Sequence, residues 1–101
     1  MTHVAEIVTF RLTEGVTADA FLTLSEPIEA FVRANPGFLR RQLSLGADGS
    51  WTDYVVWTDM ETAQAVAKTF PEQDFAPALM AAIDPESVKM RHEHIQRNMA
   101  A

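Results

Sequence analysis

The chain has 101 residues, 48% hydrophobic and 22% charged, with 8 basic against 14 acidic side chains and a formal net charge of −6. That supports one soluble globular domain over residues 1–101 and excludes disorder and collagen-like repeats. The acidic balance disfavours nucleic acid and anionic membranes as partners, and the lack of cysteine excludes disulfides, thiolate metal sites and cysteine nucleophiles.

No stretch approaches the roughly twenty apolar residues of a membrane span. The start, Met1-Thr2-His3-Val4-Ala5-Glu6, lacks the basic and apolar regions of a signal peptide, so a cytoplasmic location is expected.

Residues 4–12 (VAEIVTFRL) are rich in β-branched and aromatic side chains and read as the first strand. Thr17 is a candidate N-cap for a helix whose apolar positions are Phe21, Leu24, Ile28, Phe31 and Val32. Asn35-Pro36-Gly37 stops it, and Pro27 in its middle predicts a kink or two short segments, with Ser25 helping to cap the second. Residues 38–45 and 51–58 flank Asp48-Gly49, which predicts a hairpin of the second and third strands. Thr58-Asp59-Met60-Glu61 is a capping-box pattern that opens the second helix, ended by Pro71. Asp74 can cap a short helix over 75–83, and residues 87–95 (SVKMRHEHI) alternate as the fourth strand.

The order β-α-β-β-α-β predicts an α+β, ferredoxin-like fold: a four-stranded antiparallel sheet with helices on one face. The first and third strands are apolar on both sides, through Val4, Val8 and Phe10 against Ala5 and Ile7, and through Trp51, Val55 and Trp57 against Tyr54 and Val56. A sheet with one wet face alternates apolar and polar, so the second apolar face points to a homodimer.

Few residues can carry chemistry. His92 and His94 share one face of the fourth strand, about 7 Å apart, and could ligate a metal with Glu6 as third donor. Glu6 lies on the more apolar side of the first strand, where a carboxylate is either paired or raised in pKa. The fourth strand pairs with the first in this fold, so Glu6 and His92 become neighbours. They form a general base for a phenol or enol, or Glu6 instead reaches solvent near the strand end or makes an interface salt bridge. A two-residue Asp48-Gly49 turn would set Arg40 over Trp57, with Gln42, Ser44 and Asp53 on the same face. That face would bind a flat, acidic aromatic ligand or support the dimer. Tyr54 can donate to a substrate oxygen or pack in the sheet, and Phe75, Leu79 and Met80 can wall a cavity or fill a core.

The segments EIVTFRLTEGV (6–16), NPGFLRRQL (35–43), DYVVWTDMETA (53–63) and DPESVKMRHEHI (84–95), in this order and spacing, resemble the antibiotic biosynthesis monooxygenase-like domain of the dimeric α+β barrel superfamily. The resemblance implies a homodimer with an apolar pocket in each subunit. Members with known chemistry oxidise polycyclic phenols with O₂ and without metal or flavin, so it implies a cofactor-independent monooxygenase acting on a small aromatic or enolic molecule. His92 or Glu6 would be the base, Arg40 or Tyr54 would stabilise the anion, and Trp57, Phe75 and Leu79 would line the site. Other readings are a non-catalytic ligand-binding or stress-related protein, and an isomerase or decarboxylase of a small ring acid. A haem-degrading branch resembles the chain in layout but carries an Asn, a Trp and an iron-ligating His. The matching positions here are Val8, Ala67 (or Val66) and Leu79, none of which can bind iron.

Overall fold

The computed structural model describes residues 2–101. Four strands, β1 (Val4–Phe10), β2 (Phe38–Leu45), β3 (Trp51–Trp57) and β4 (Lys89–His94), form one antiparallel sheet in the order β2-β3-β1-β4. The helices α1 (Ala18–Arg33), α2 (Met60–Thr69) and α3 (Ala76–Ala81) cover its inner face. This is the ferredoxin-like arrangement that the element order predicts. Among the described residues no helix is long and apolar enough to cross a membrane.

Several boundaries differ from expectation for local reasons. β1 stops at Phe10, and Leu12 instead forms an isolated bridge with Ile83. Thr17 caps α1 by accepting from the Ala20 N–H at 3.1 Å, as its position predicts. However, α1 runs unbroken through Pro27, with buried Phe21, Ile28 and Val32 anchoring both halves to the core. Ser25 does not cap a second segment; its hydroxyl donates to the Leu22 carbonyl at 2.9 Å. Asp59, rather than Thr58, caps α2, accepting from the Thr62 N–H at 2.7 Å. Asp74 caps nothing, because α3 begins one residue later, from Phe75, with no side-chain cap. A 3₁₀ turn at Pro85–Ser87 delays β4 to Lys89.

The hairpin is the largest correction. The chain turns through the whole of Gly46–Ser50, where the Gly46 N–H donates to the Ser50 carbonyl at 2.8 Å and Gly49 takes φ +86°. Leu43 therefore faces Asp53, Arg41 faces Val55 and Arg40 faces Val56. The register is shifted by one residue from that of a two-residue turn, so side chains trade faces. Arg41, not Arg40, joins Asp53, Val55 and Trp57 on the inner face. A bulge between Phe38 and Arg40 restores Phe38 to Trp57, with ring centroids 6.0 Å apart.

The outer face is not bare. Asn98, beyond the end of β4, reaches Arg40 on the far edge strand, with Nη2 to Oδ1 at 3.4 Å. The C-terminal tail therefore crosses this face, and Ala5, Ile7 and Val56 of the two central strands are buried there. On the inner side Phe10, Phe21 and Trp51 cluster with centroids 4.9 to 6.3 Å apart, and Phe31, Phe70 and Phe75 form a second cluster at 5.4 to 5.9 Å.

Gly37 joins β2 to the start of α2 at close range: its carbonyl accepts from the Thr58 N–H at 2.9 Å, and a Cβ there would stand 2.5 Å from Thr62 Cγ2. Gly37→Ala is expected to destabilise the protein by about 1–3 kcal/mol, read as a Tm fall of at least about 4 °C in thermal unfolding. An unchanged Tm would mean that α2 yields freely.

Candidate active site

Between the inner sheet face and the helices lies an apolar cavity of about 270 Å³. Its sheet wall includes Val8, Val55 and Trp57, and its helical wall includes Ile28, Phe31, Val66 and Leu79. A dry cavity of roughly 150 Å³ takes benzene, so this one has room for two or three fused rings. Its mouth is formed by Met80, Val88 and Met90, which remain exposed.

Two carboxylates interrupt this apolar lining, Glu6 on β1 and Asp53 on β3. Glu6 lies opposite His92 across the β1–β4 ladder, and its Oε2 lies 2.9 Å from His92 Nε2. Both side chains are nearly enclosed, 14% and 16% exposed. Burial pushes the Glu6 carboxyl above its ordinary value. The hydrogen bond and positive charge of His92 oppose that rise, whereas the neighbouring Asp53 charge adds to it. Asp53 is itself held by Arg41, whose Nε and Nη2 donate to its two oxygens, each at 2.9 Å. These two side chains are 11% and 20% exposed, and the fork geometry makes the pair strong.

The Trp57 indole lies at the same level. Its N–H favours the charged form of Glu6, yet stands outside hydrogen-bonding geometry. Trp57 is 1% exposed, and among the described residues its Nε1 is the buried side-chain polar atom without a partner.

Of the residues singled out in the sequence, Glu6, His92 and Trp57 come together here, and Leu79 lines the cavity wall. Phe75 lies behind the wall, packed on Phe31 and Phe70. Arg40 and Tyr54 belong to the outer face, and no Arg40–Trp57 stacking forms, because the longer hairpin loop reverses the facing of β2. His94 does not join the pair; its Nδ1 lies 2.9 Å from Thr2 Oγ1 near the sheet edge. Sequence reasoning placed Met80 in a cavity wall but missed the Arg41–Asp53 pair and the part of Val88 and Met90 in the mouth. The alternation of Arg41 with Leu43 would have revealed the first, given the correct loop length.

Comparison with solved structures places this geometry among known folds. A point variant of SnoaB, a cofactor-independent oxygenase from Streptomyces nogalater, superposes over 100% of both chains with a TM-score of 0.80 at 19% identity. A monooxygenase from Streptomyces coelicolor, ActVA-Orf6, solved with nanaomycin D, matches over 99% of this chain and 93% of its own with a TM-score of 0.76 at 17% identity. The chain shares the fold of these proteins over nearly its whole length. A candidate antibiotic biosynthesis monooxygenase from Chloroflexus aurantiacus J-10-fl shares it over 98% of both chains, with a TM-score of 0.72 at 16% identity. No family model matches the sequence, and no curated protein matches it.

Two predictions follow from the electrostatics. Below the ordinary carboxylate value Glu6 is protonated in both folded and unfolded chains and costs nothing. As pH rises through its elevated folded value, the unfolded state has already released the proton and the folded state resists, so stability falls. Glu6→Gln removes that term. Denaturant titrations between about pH 4 and about pH 8 should show the variant gaining stability relative to the parent as pH rises; a constant difference would contradict a raised folded value. Arg41→Met strands the Asp53 charge and should cost about 3 kcal/mol, most of it recovered when Asp53→Leu is added. Equal losses in the single and double variants would mean that packing, not charge, is what Arg41 supplies.

Proposed function

We propose that the protein is a cofactor-independent monooxygenase acting on a small aromatic or enolic molecule, with Glu6 and His92 as its base. The observation that carries this reading is a hydrogen-bonded carboxylate–imidazole pair set in an apolar cavity sized for a few fused rings. The oxygenase activities of SnoaB and ActVA-Orf6 support the same reading.

The chemistry needs little else. Glu6 removes a proton from the substrate, and His92 holds the carboxyl oriented and shares the proton. General-base assistance of this kind is typically worth about 10²- to 10⁴-fold. The resulting carbanion is electron-rich and transfers an electron to O₂, and the two radicals combine at carbon as a peroxide. Loss of water then leaves a carbonyl where a CH₂ stood: the substrate gives four electrons, one oxygen atom enters the product and the other leaves as water. The apolar walls keep bulk water from the anion during these steps. Arg40 and Tyr54, on the outer face, have no part in them. The same reading takes the protein as a cytoplasmic homodimer.

Oxygen uptake by the purified protein, without added metal or flavin, tests the proposal across a panel of anthrones, naphthols and hydroxyquinones. Uptake should fall by about 10²- to 10⁴-fold in Glu6→Gln and in His92→Ala, with one oxygen atom of labelled O₂ appearing in the product. If no compound supports uptake while thermal shift still reports ligand binding, the oxygenase reading fails. In that case turnover that persists without oxygen would identify an isomerase or decarboxylase, and no turnover a binding protein.

A further inference from the structure

We propose that the Trp57 indole N–H sets the ligand specificity of the cavity by donating to the oxygen of a neutral hydroxyarene whose own hydroxyl hydrogen points at Glu6. This deepens the reading above by naming the group recognised, and it rests on the cavity being the ligand site.

The starting point is an unpaired donor. Trp57 is 1% exposed, its ring lines the cavity, and its Nε1 has no hydrogen-bond partner. Buried donors are almost always paired in native proteins, by protein, water or ligand. An indole N–H can only donate, so the missing partner must bring an acceptor. Its polar neighbour on the cavity side is Glu6, whose charged form the indole N–H favours without reaching hydrogen-bonding geometry, and whose Oε2 is already bonded to His92. That leaves Glu6 Oε1 to receive a donor.

A single ligand atom can satisfy both demands if it donates to Glu6 and accepts from Trp57. A hydroxyl oxygen does this; a carbonyl or ether oxygen meets only Trp57, and an amine hydrogen meets only Glu6. After the proton leaves, the same N–H faces an oxyanion, where a hydrogen bond is stronger than to a neutral group. Charge selects further. Two carboxylates, Glu6 and Asp53, face the cavity, and the Arg41 that answers Asp53 does not line it. An arene carboxylate would place a third negative charge beside them without a free cation to meet it. The site therefore favours the neutral hydroxyarene over the ring acid of the same shape.

Binding under anaerobic conditions tests this separately from turnover, with 2-naphthol, 2-methoxynaphthalene, naphthalene and 2-naphthoate as probes. The parent protein should prefer 2-naphthol to 2-methoxynaphthalene and to naphthalene, and should bind 2-naphthoate weakest. Trp57→Phe keeps an aromatic ring and removes the N–H. It should weaken 2-naphthol by about tenfold, the size of one such hydrogen bond, and leave naphthalene within about twofold. An equal loss for both probes would make Trp57 a packing residue and overturn the proposal. Should Trp57→Phe fail to fold, the parent protein still decides the matter. With ¹⁵N-labelled indoles, 2-naphthol should move the Trp57 Nε1–H resonance downfield and slow its exchange with solvent, whereas naphthalene should do neither. An unmoved resonance with 2-naphthol bound, or no 2-naphthol binding at all, overturns the assignment. Because no oxygen is present, the hydroxyl preference can hold while the oxygenase reading fails, and the reverse.

Discussion

Two carboxylates set into the apolar face of a sheet are the constraint around which this molecule is organised. Glu6 and Asp53 lie on the two central strands, β1 and β3, where the helices should pack most closely. Neither charge can be left there alone. Each is answered from the strand next to it toward the edge, Glu6 by His92 on β4 and Asp53 by Arg41 on β2. The sheet order β2-β3-β1-β4 thus reads as base, acid, acid, base across the inner face. A ferredoxin-like topology makes that possible because it brings the first and last strands together, residues 86 positions apart in the case of Glu6 and His92.

The two pairs are not equivalent. Arg41 and Asp53 meet through two parallel hydrogen bonds in a fixed fork, with Arg41 charged at any ordinary pH. Glu6 and His92 share one bond between two groups that can both gain or lose a proton. The first pair is suited to holding a charge still and the second to moving one. Aromatic clusters frame the space between them: Phe10, Phe21 and Trp51 form one group, and Phe31, Phe70 and Phe75 the other.

Much of this was legible in the sequence, and the failures have specific causes. Strand and helix existence followed from periodicity, and the Glu6–His92 contact followed from topology alone, since strand pairing needs only the element order. The hairpin register depended on loop length, which Asp48-Gly49 misreports. The turn closes at Gly46 and Ser50, so one residue of slip moved Arg40 out and Arg41 in. Pro27 predicts a kink or two short segments; buried anchors on both sides of it keep α1 a single helix despite one lost hydrogen bond. The tail that crosses the outer face carries no periodic pattern and is placed by tertiary contacts such as Arg40–Asn98, which no local rule foresees. Trp57 is buried in the core and lines the cavity. Its unpaired N–H is visible only once its neighbours are known.

Burial does two things to Glu6 at once. It raises the carboxyl's affinity for a proton, making the carboxylate a stronger base than in water, and it removes the water that would otherwise compete for the proton or quench the product anion. Both effects grow with enclosure, but so does the cost of holding the charge. His92 offsets that cost by hydrogen bonding to one oxygen, while Asp53, held by Arg41, adds a repulsive field. Glu6 therefore sits between an attractive and a repulsive neighbour on the same sheet face, with its ionisation set by their balance rather than by either alone. A neutral ligand that gives its proton to Glu6 moves the negative charge onto itself and adds none to the cavity, whereas a ligand that enters as an anion adds one. On the proposed reading, the charge row across the inner face is what biases the cavity toward acids that are weak, aromatic and uncharged on entry.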